Sequence, residues 1–364
     1  MYNSFKPGQL WLDTNGKPIQ AHGFSVLYSE PDQVYYWYGE NKEKTKGGPF
    51  NKVWHWGVRC YASKDLYNWE DKGLIIPPTP DDLNNPLHPT YQMDRPHILF
   101  CEKTGKYVAW LKIMCGTTSQ FMSVMQADSF LGPYEFVHQI YKPLAMDTGD
   151  FALAVDEETK KAYFIFDRPH FEVVTATLSD DYTEVTGEFS EHYTGLIPPF
   201  SREAPTFFTR GGRKYLITSG TSGYYPNPSQ VCTFDDWHGE YADLGDPCLG
   251  DTDGTSFFGQ FTCVLNIPCT DRYIAMADRW KPTAFGQWMS KRYYSMVKKA
   301  MSGPQGERFK NPDKGPKSVN ELPMRLLTHA ENTSIARYVW LPVEWEGDKP
   351  VIKWYDEWKW EDLK

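Results

Sequence analysis

Five polar residues stand at nearly equal steps before five tyrosines. His22, Asp94, Asp150, Glu203 and Gln260 lie 12 or 13 positions ahead of Tyr35, Tyr107, Tyr163, Tyr215 and Tyr273. Three carboxyls, an amide and an imidazole are material for acid–base catalysis: one carboxyl kept protonated can give a proton while an ionised partner orients or activates water. Residues spread over about 240 positions reach one site only if similar elements carry each of them to a common axis.

Those elements are short strands. Each tyrosine opens an apolar-aromatic run: Tyr35-Tyr36-Trp37-Tyr38, Tyr107-Val108-Ala109-Trp110, Tyr163-Phe164-Ile165-Phe166, Tyr215-Leu216-Ile217-Thr218 and Tyr273-Ile274-Ala275-Met276. Gly, Asp, Asn and Pro bound these runs, which is the signature of strands joined by turns. Their first residues are 72, 56, 52 and 58 apart, a length that suits the four-stranded blade of a β-propeller. The polar residue then sits at the start of the preceding strand, as in Asp94-Arg95-Pro96-His97-Ile98 and Glu203-Ala204-Pro205-Thr206-Phe207. Innermost propeller strands line the central channel, so five equivalent positions converge.

Tyr61–Trp69 reads as an outer strand, a turn and a return, with counterparts in Ser129–Tyr134 and Phe234–Glu240. Tyr338–Val343 and Val351–Trp354 read as strands that complete the last blade or close the ring. A closed ring leaves no long exposed edge, which favours it over a sandwich of irregular hairpins. The expectation is an all-β, five-bladed β-propeller, one domain over residues 1–364, with a partly helical or irregular insertion near 281–337 in the last blade region. Met289–Lys299 reads as a helix there, followed by a Gly/Pro/Lys-rich stretch at 303–317. Residues 291–325 carry nine Lys or Arg and three acids, which favours a solvated insertion over a lid or an intersubunit arm.

Composition narrows the function. With 364 residues and 40% hydrophobic content a sizeable core can form. A net charge of -9 argues against a general nucleic-acid binder. No apolar run approaches the roughly 18 residues of a membrane span, and Met1–Pro7 lacks the apolar centre of a signal peptide, so a cytoplasmic location is expected. Seven cysteines fit neither zinc pairs nor a disulfide framework, which agrees with a reducing compartment. No EF-hand or His-Glu-x-x-His pattern occurs, and Asp251-Thr252-Asp253-Gly254 reads as a turn. Serine-nucleophile and Cys–His signatures are missing too. Aromatics reach 16%, with 14 Trp and 23 Tyr. Sugar C–H faces stack on such rings, and carboxyls around an aromatic channel suit glycoside hydrolysis. Asp94 and Asp150 beside Glu203 would raise its pKa by like-charge repulsion.

On these residues the chain resembles glycoside hydrolase family 43, in the branch of exo-β-1,3-galactanases. The resemblance rests on Trp11–Gly16, Gln20–Gly23, Tyr35–Glu40, Tyr61–Trp69, Arg95-Pro96, Gly149-Asp150, Arg202-Glu203-Ala204-Pro205 and Trp340-Leu341-Pro342. It runs from about residue 8 to 358, interrupted by 281–337. It implies hydrolysis with inversion, Glu203 as general acid and Asp150 as the carboxylate that tunes and orients it. The wider family places an aspartate base on the first blade, where this chain has Gln20-Ala21-His22. The galactanase branch also lacks that base, and its glutamine resembles Gln260, whose carbonyl oxygen can hold a water. Asp94 matches an acidic sugar-binding residue and could instead take the proton. Glu40 matches a ligand for sugar hydroxyls, and His22, Gln20, Tyr224, Ser222 and Trp37 complete the implied substrate-binding set.

Three departures lie near the sugar: Gly23-Phe24-Ser25 for a glycine-rich run, Tyr224 for a common Trp, and His97 for the usual Lys. The expected activity is exo-acting release of terminal galactose from β-1,3-linked galacto-oligosaccharide. An α-L-arabinofuranosidase or β-galactofuranosidase, and a non-catalytic carbohydrate-binding propeller, are the alternatives. The expected partner is an oligosaccharide, with no nucleic acid and no membrane. No cofactor is required; a calcium ion on the axis is compatible but not indicated.

Overall fold

The computed structural model describes residues 1–47, 53–115, 119–169, 171–302 and 332–363. Five sheets follow one another along the chain, antiparallel throughout except for one short parallel pair in the fifth. The first holds β1 (His22–Ser29), β2 (Val34–Glu40), β3 (Val58–Ser63) and β4 (Glu70–Ile76). The second holds β5 (Gln92–Cys101), β6 (Lys106–Cys115), β7 (Ser119–Ala127) and β8 (Glu135–Tyr141). The third holds β9 (Phe151–Val155), β10 (Ala162–Arg168), β11 (Glu172–Leu178) and β12 (Val185–His192). The fourth holds β13 (Arg202–Arg210), β14 (Arg213–Gly220), β15 (Ser229–Phe234) and β16 (Ala242–Gly245). The fifth takes β17 (Cys248–Leu249), β18 (Gln260–Asn266), β19 (Tyr273–Arg279), β20 (Arg337–Glu346) and β21 (Lys349–Lys353). This is a five-bladed propeller. The stretches read as strands near the C-terminus are β20 and β21, which complete the last blade.

Each pair of neighbouring blades shares one apolar cluster, so five clusters close the ring. The inner and middle strands are apolar on both faces because each is sandwiched between sheets: β11 is buried along its whole length. Outer strands alternate instead, as β8 does with Val137 and Ile140 toward solvent. The aromatic of each predicted outer turn enters an interblade cluster, Trp69 against Trp37, Phe130 against Tyr36 and Trp237 flat on Tyr163 at 3.9 Å. Most of the chain's rings are therefore core.

The largest aromatic cluster lies where the first and fifth blades meet and the chain ends join. Phe5 exchanges both backbone hydrogen bonds with Trp358 (2.8 and 3.1 Å), and its ring packs on Trp340, Trp358 and Tyr67. Between β19 and β20 the helix α1 (Ala284–Met301) departs from the ring. It is longer than Met289–Lys299, and one face is docked, with Ser290 buried and Tyr293 stacked on Tyr225 at 3.9 Å, while the exposed Lys291 pairs with Asp253 at 2.5 Å. The stretch 303–317 lies outside the described residues.

The ring closure yields a prediction. Phe5→Ala should lower stability by about 3–5 kcal/mol, the usual cost of removing a buried aromatic. Ile140→Ala, on the exposed edge of β8, should stay within about 0.5 kcal/mol. Denaturant titration of both variants checks the contrast, and equal effects would contradict the closure argument.

Candidate active site

Each of the five recurrent residues falls at the start of an innermost strand: His22 on β1, Asp94 on β5, Asp150 just before β9, Glu203 on β13 and Gln260 on β18. These strands neighbour one another around the axis. On three of them the ladder slips directly after the polar residue, between His22 and Ser25, Asp94 and His97, and Glu203 and Thr206. The residue at each slip is left-handed: Gly23 (φ 53°), Arg95 (φ 49°) and Ala204 (φ 55°). Such bulges bend a strand and re-aim the side chain beside them. Holding Arg95 and Ala204 there costs on the order of 1 kcal/mol or more each, strain of the kind that collects at functional sites.

A second polar ring backs the first. Across the first ladder of each blade His22 pairs with Glu40, Asp94 with Lys112, Glu203 with Ser219 and Gln260 with Asp278. In the third blade the Asp167 amide donates to the Asp150 carbonyl at 3.0 Å. Every inner residue is thus backed by a polar one on the second strand. Gly149 makes room for Asp167: a Cβ at 149 would meet its Oδ2 at 2.1 Å.

Two cations organise the acids. Arg95 directs Nε to Asp150 Oδ2 (3.2 Å) and Nη2 to Gln260 Oε1 (3.1 Å). Lys112 sits 2.9 Å from Asp150 Oδ1 and 3.5 Å from Asp94 Oδ2. Trp54 donates Nε1–H to Asp94 Oδ1 at 3.2 Å. Gln260 donates through Nε2 to Ser219 Oγ at 3.0 Å, so both ends of its amide are held. Glu203 is only 8% exposed, and burial, then the charges of Asp150 and Asp167, hold its carboxyl well above the usual range. Asp167 is pushed up to about 8 by burial and by Asp150. The sequence expectation named Asp94 as Glu203's second companion; the structure gives that part to Asp167.

The implied substrate-binding residues separate. His22 is wholly buried, with Nδ1 3.1 Å from Asp278 Oδ1 and its ring stacked on Tyr338, so it braces blades one and five and has no face for a sugar. Trp37 is also 0% exposed, inside the cluster between those blades; its run is a second strand sandwiched between sheets. Both correct the expectation. Glu40 is buried against Lys42 (2.7 Å) and accepts from the Arg95 amide (2.9 Å), so it positions Arg95 and does not line the pocket. Burial and Asp94 push it up to about 8 while Lys42 pulls it down. Ser222 is spent on its own loop, donating to the Tyr225 carbonyl and accepting from Asn227 Nδ2, both at 2.6 Å. Gln20 spans from His22 Nε2 to the Ser334 carbonyl, ahead of β20.

Tyr224 does line a small cleft, together with Ser219, Gln260, Phe258 and Trp280. Its ring meets Trp54 on one side (6.1 Å) and Trp280 on the other (5.5 Å), a partly exposed aromatic wall next to the carboxyls. Lys112, Asp167, Ser219, Trp54 and Trp280 were not anticipated. A signal for the first three exists: a polar residue four or five places after each recurrent tyrosine (Glu40, Lys112, Asp167, Ser219 and Asp278). Among the described residues no group of three or more His, Cys, Asp or Glu is placed to hold a metal ion.

The model of glycosyl hydrolases family 43 matches residues 18–248. Two solved β-1,3-galactosidases of that family each share 26% identity with this chain, cover 98% of it and superpose with a TM-score of 0.75. The one solved with galactodeoxynojirimycin is covered over 100% of its length; of the other the chain spans 64%. An exo-β-1,3-galactanase from Phanerochaete chrysosporium solved with galactose, at 23% identity and TM-score 0.73 over 98% of this chain and 68% of its own, shares the fold. No curated protein matches the chain.

The buried acids predict how stability follows pH. Asp167 keeps its proton in the folded state up to about 8 but loses it near 3.8 when unfolded. The native state then binds more protons between those values, so stability falls as pH rises through that window, by at most about 1.4 kcal/mol per pH unit for one group. Asp167→Asn removes that contribution. Its melting temperature relative to wild type should climb from pH 5 to pH 8, and parallel curves would contradict the assignment.

Proposed function

Since this chain belongs to the glycosyl hydrolases of family 43, we propose that it releases terminal galactose from β-1,3-linked galacto-oligosaccharides, with inversion. The observation that carries the chemistry is Glu203: a carboxyl buried in the channel wall, aimed by a bulge and kept protonated by burial and by Asp150. The preference for galactose is supported by the two 26% identical relatives described as β-1,3-galactosidases, one of them solved with galactodeoxynojirimycin.

In this reading the terminal sugar stacks against the wall of Tyr224, Trp54 and Trp280. Glu203 gives its proton to the glycosidic oxygen as the bond to the anomeric carbon breaks. A water held by the Gln260 carbonyl oxygen attacks the opposite face, and its proton passes to a carboxylate. Asp94 is suited to receive it. Inversion needs an acid and a base roughly 6.5–9.5 Å apart, and the charges Glu203 feels most are those of Asp150 and Asp167, not Asp94. Asp150, bridged to Arg95 and Lys112, stays charged and keeps the donor's proton in place. The scheme needs no metal.

Glu203→Gln should reduce kcat by about 10²-fold or more while galactose binding, read by calorimetry, persists. Wild-type protein should cleave β-1,3-galactobiose, with α-galactose the first product seen by proton NMR, and should leave aryl α-L-arabinofuranoside and β-galactofuranoside intact. Cleavage of a furanoside alone would move the substrate to another sugar, and undiminished turnover in the Gln variant would remove Glu203 as the acid.

A further inference from the structure

We propose that Lys112 is a positioning residue for the proton donor: its buried ammonium, seated between Asp94 and Asp150, fixes which carboxyls of the channel are charged and so sets the pH window in which Glu203 can act. The proposal rests on the reading of Glu203 as the acid. Lys112 lies inside β6, almost wholly buried, with Met122 of β7 as its ladder partner on the far side. Four carboxyls face it from four elements: Asp94 on β5, Asp150 before β9, Asp167 on β10 and Glu203 on β13. Arg95 is the second cation of the group, and Glu40, paired to Lys42, completes the charged surroundings on the side of the first blade.

The two cations meet Asp94 and Asp150 unequally. Asp150 is held by both, at 2.9 and 3.2 Å, and Asp94 by Lys112 alone, at 3.5 Å. Removing the ammonium leaves Asp150 its arginine but strips Asp94 of its cation, with only the Trp54 N–H remaining among the contacts described. Two consequences follow, and they have the same sign. Asp94 and Asp150 take up protons at a higher pH, which raises the acid limb of the activity profile. Glu203 loses a nearby positive charge and keeps its proton to a higher pH, which raises the alkaline limb. A charge within about 4–6 Å moves such a group by about one pH unit or more.

The test is kcat/KM against pH, on the glycoside that wild type hydrolyses, for wild type, Lys112→Met, Lys112→Gln and Lys112→Arg. Both limbs should move up by about one unit in the Met variant and stay within about 0.3 unit of wild type in the Arg variant, which keeps the charge. The Gln variant carries the same expectation as Met, and serves if the apolar replacement does not fold. A merely structural role would lower activity and stability without moving the limbs. Unmoved limbs in the neutral variants, or an equal shift in Arg, would overturn the proposal while Glu203→Gln still abolished turnover. Full turnover in Glu203→Gln would instead remove the donor itself, and this proposal with it.

Discussion

Everything at the axis depends on how a low-dielectric channel balances charge. Asp94, Asp150, Asp167 and Glu203 crowd a space that holds two cations, Arg95 and Lys112. An unpaired buried carboxylate is far costlier than a protonated one, so the surplus is met by protons. The cations contact Asp94 and Asp150, while burial and the charge of Asp150 drive Asp167 and Glu203 upward. For the reaction proposed, a proton donor at neutral pH is thus a consequence of this charge count. Protons on Asp167 and Glu203 offset part of the charge of the four acids, and the bulge at Ala204 brings Glu203 to the channel.

The fold serves that count by spreading it over the ring. Arg95 reaches from β5 to Asp150 in the third blade and to Gln260 in the fifth, while its own amide is held by Glu40 of the first. No single blade contains the site. The interblade clusters therefore govern the chemistry as well as stability, because a slip of one blade against its neighbour would part a cation from its acid.

This also explains what could be read along the chain. The strand-opening tyrosines were visible because turn residues and apolar runs mark each blade locally, and the first-strand residues followed by counting back from them. Lys112 and Asp167 were legible in principle, since they stand four or five places after the recurrent tyrosines, but a polar residue following an apolar run reads as the edge of a turn until its partner is known. Trp54 and Trp280 carry no periodic signal: each sits in a connection outside the strands, and only the ring sets both against Tyr224. His22 and Trp37 misled for the opposite reason. Both belong to motifs of the resemblance, yet one braces the seam between first and last blades and the other fills it. His97, standing where a lysine was usual, stays neutral because burial and Arg95 hold it down to about 3, which leaves Lys112 as the ammonium touching Asp94 and Asp150.

The same accounting bears on why an amide stands at 260. Its carbonyl oxygen already accepts from Arg95, and its nitrogen donates to Ser219. A carboxylate there would be a fifth acid in a site with two cations, and it would compete with Asp150 for the guanidinium. Asp150 would then be less firmly charged, and its charge is part of what keeps Glu203 protonated. An amide keeps the hydrogen-bond geometry, offers its oxygen's second lone pair to a water, and leaves the arginine to Asp150. In the proposed reaction the weak basicity of residue 260 is thus the condition for a strong donor at residue 203, and the task of accepting a proton falls to a carboxylate already paired with Lys112.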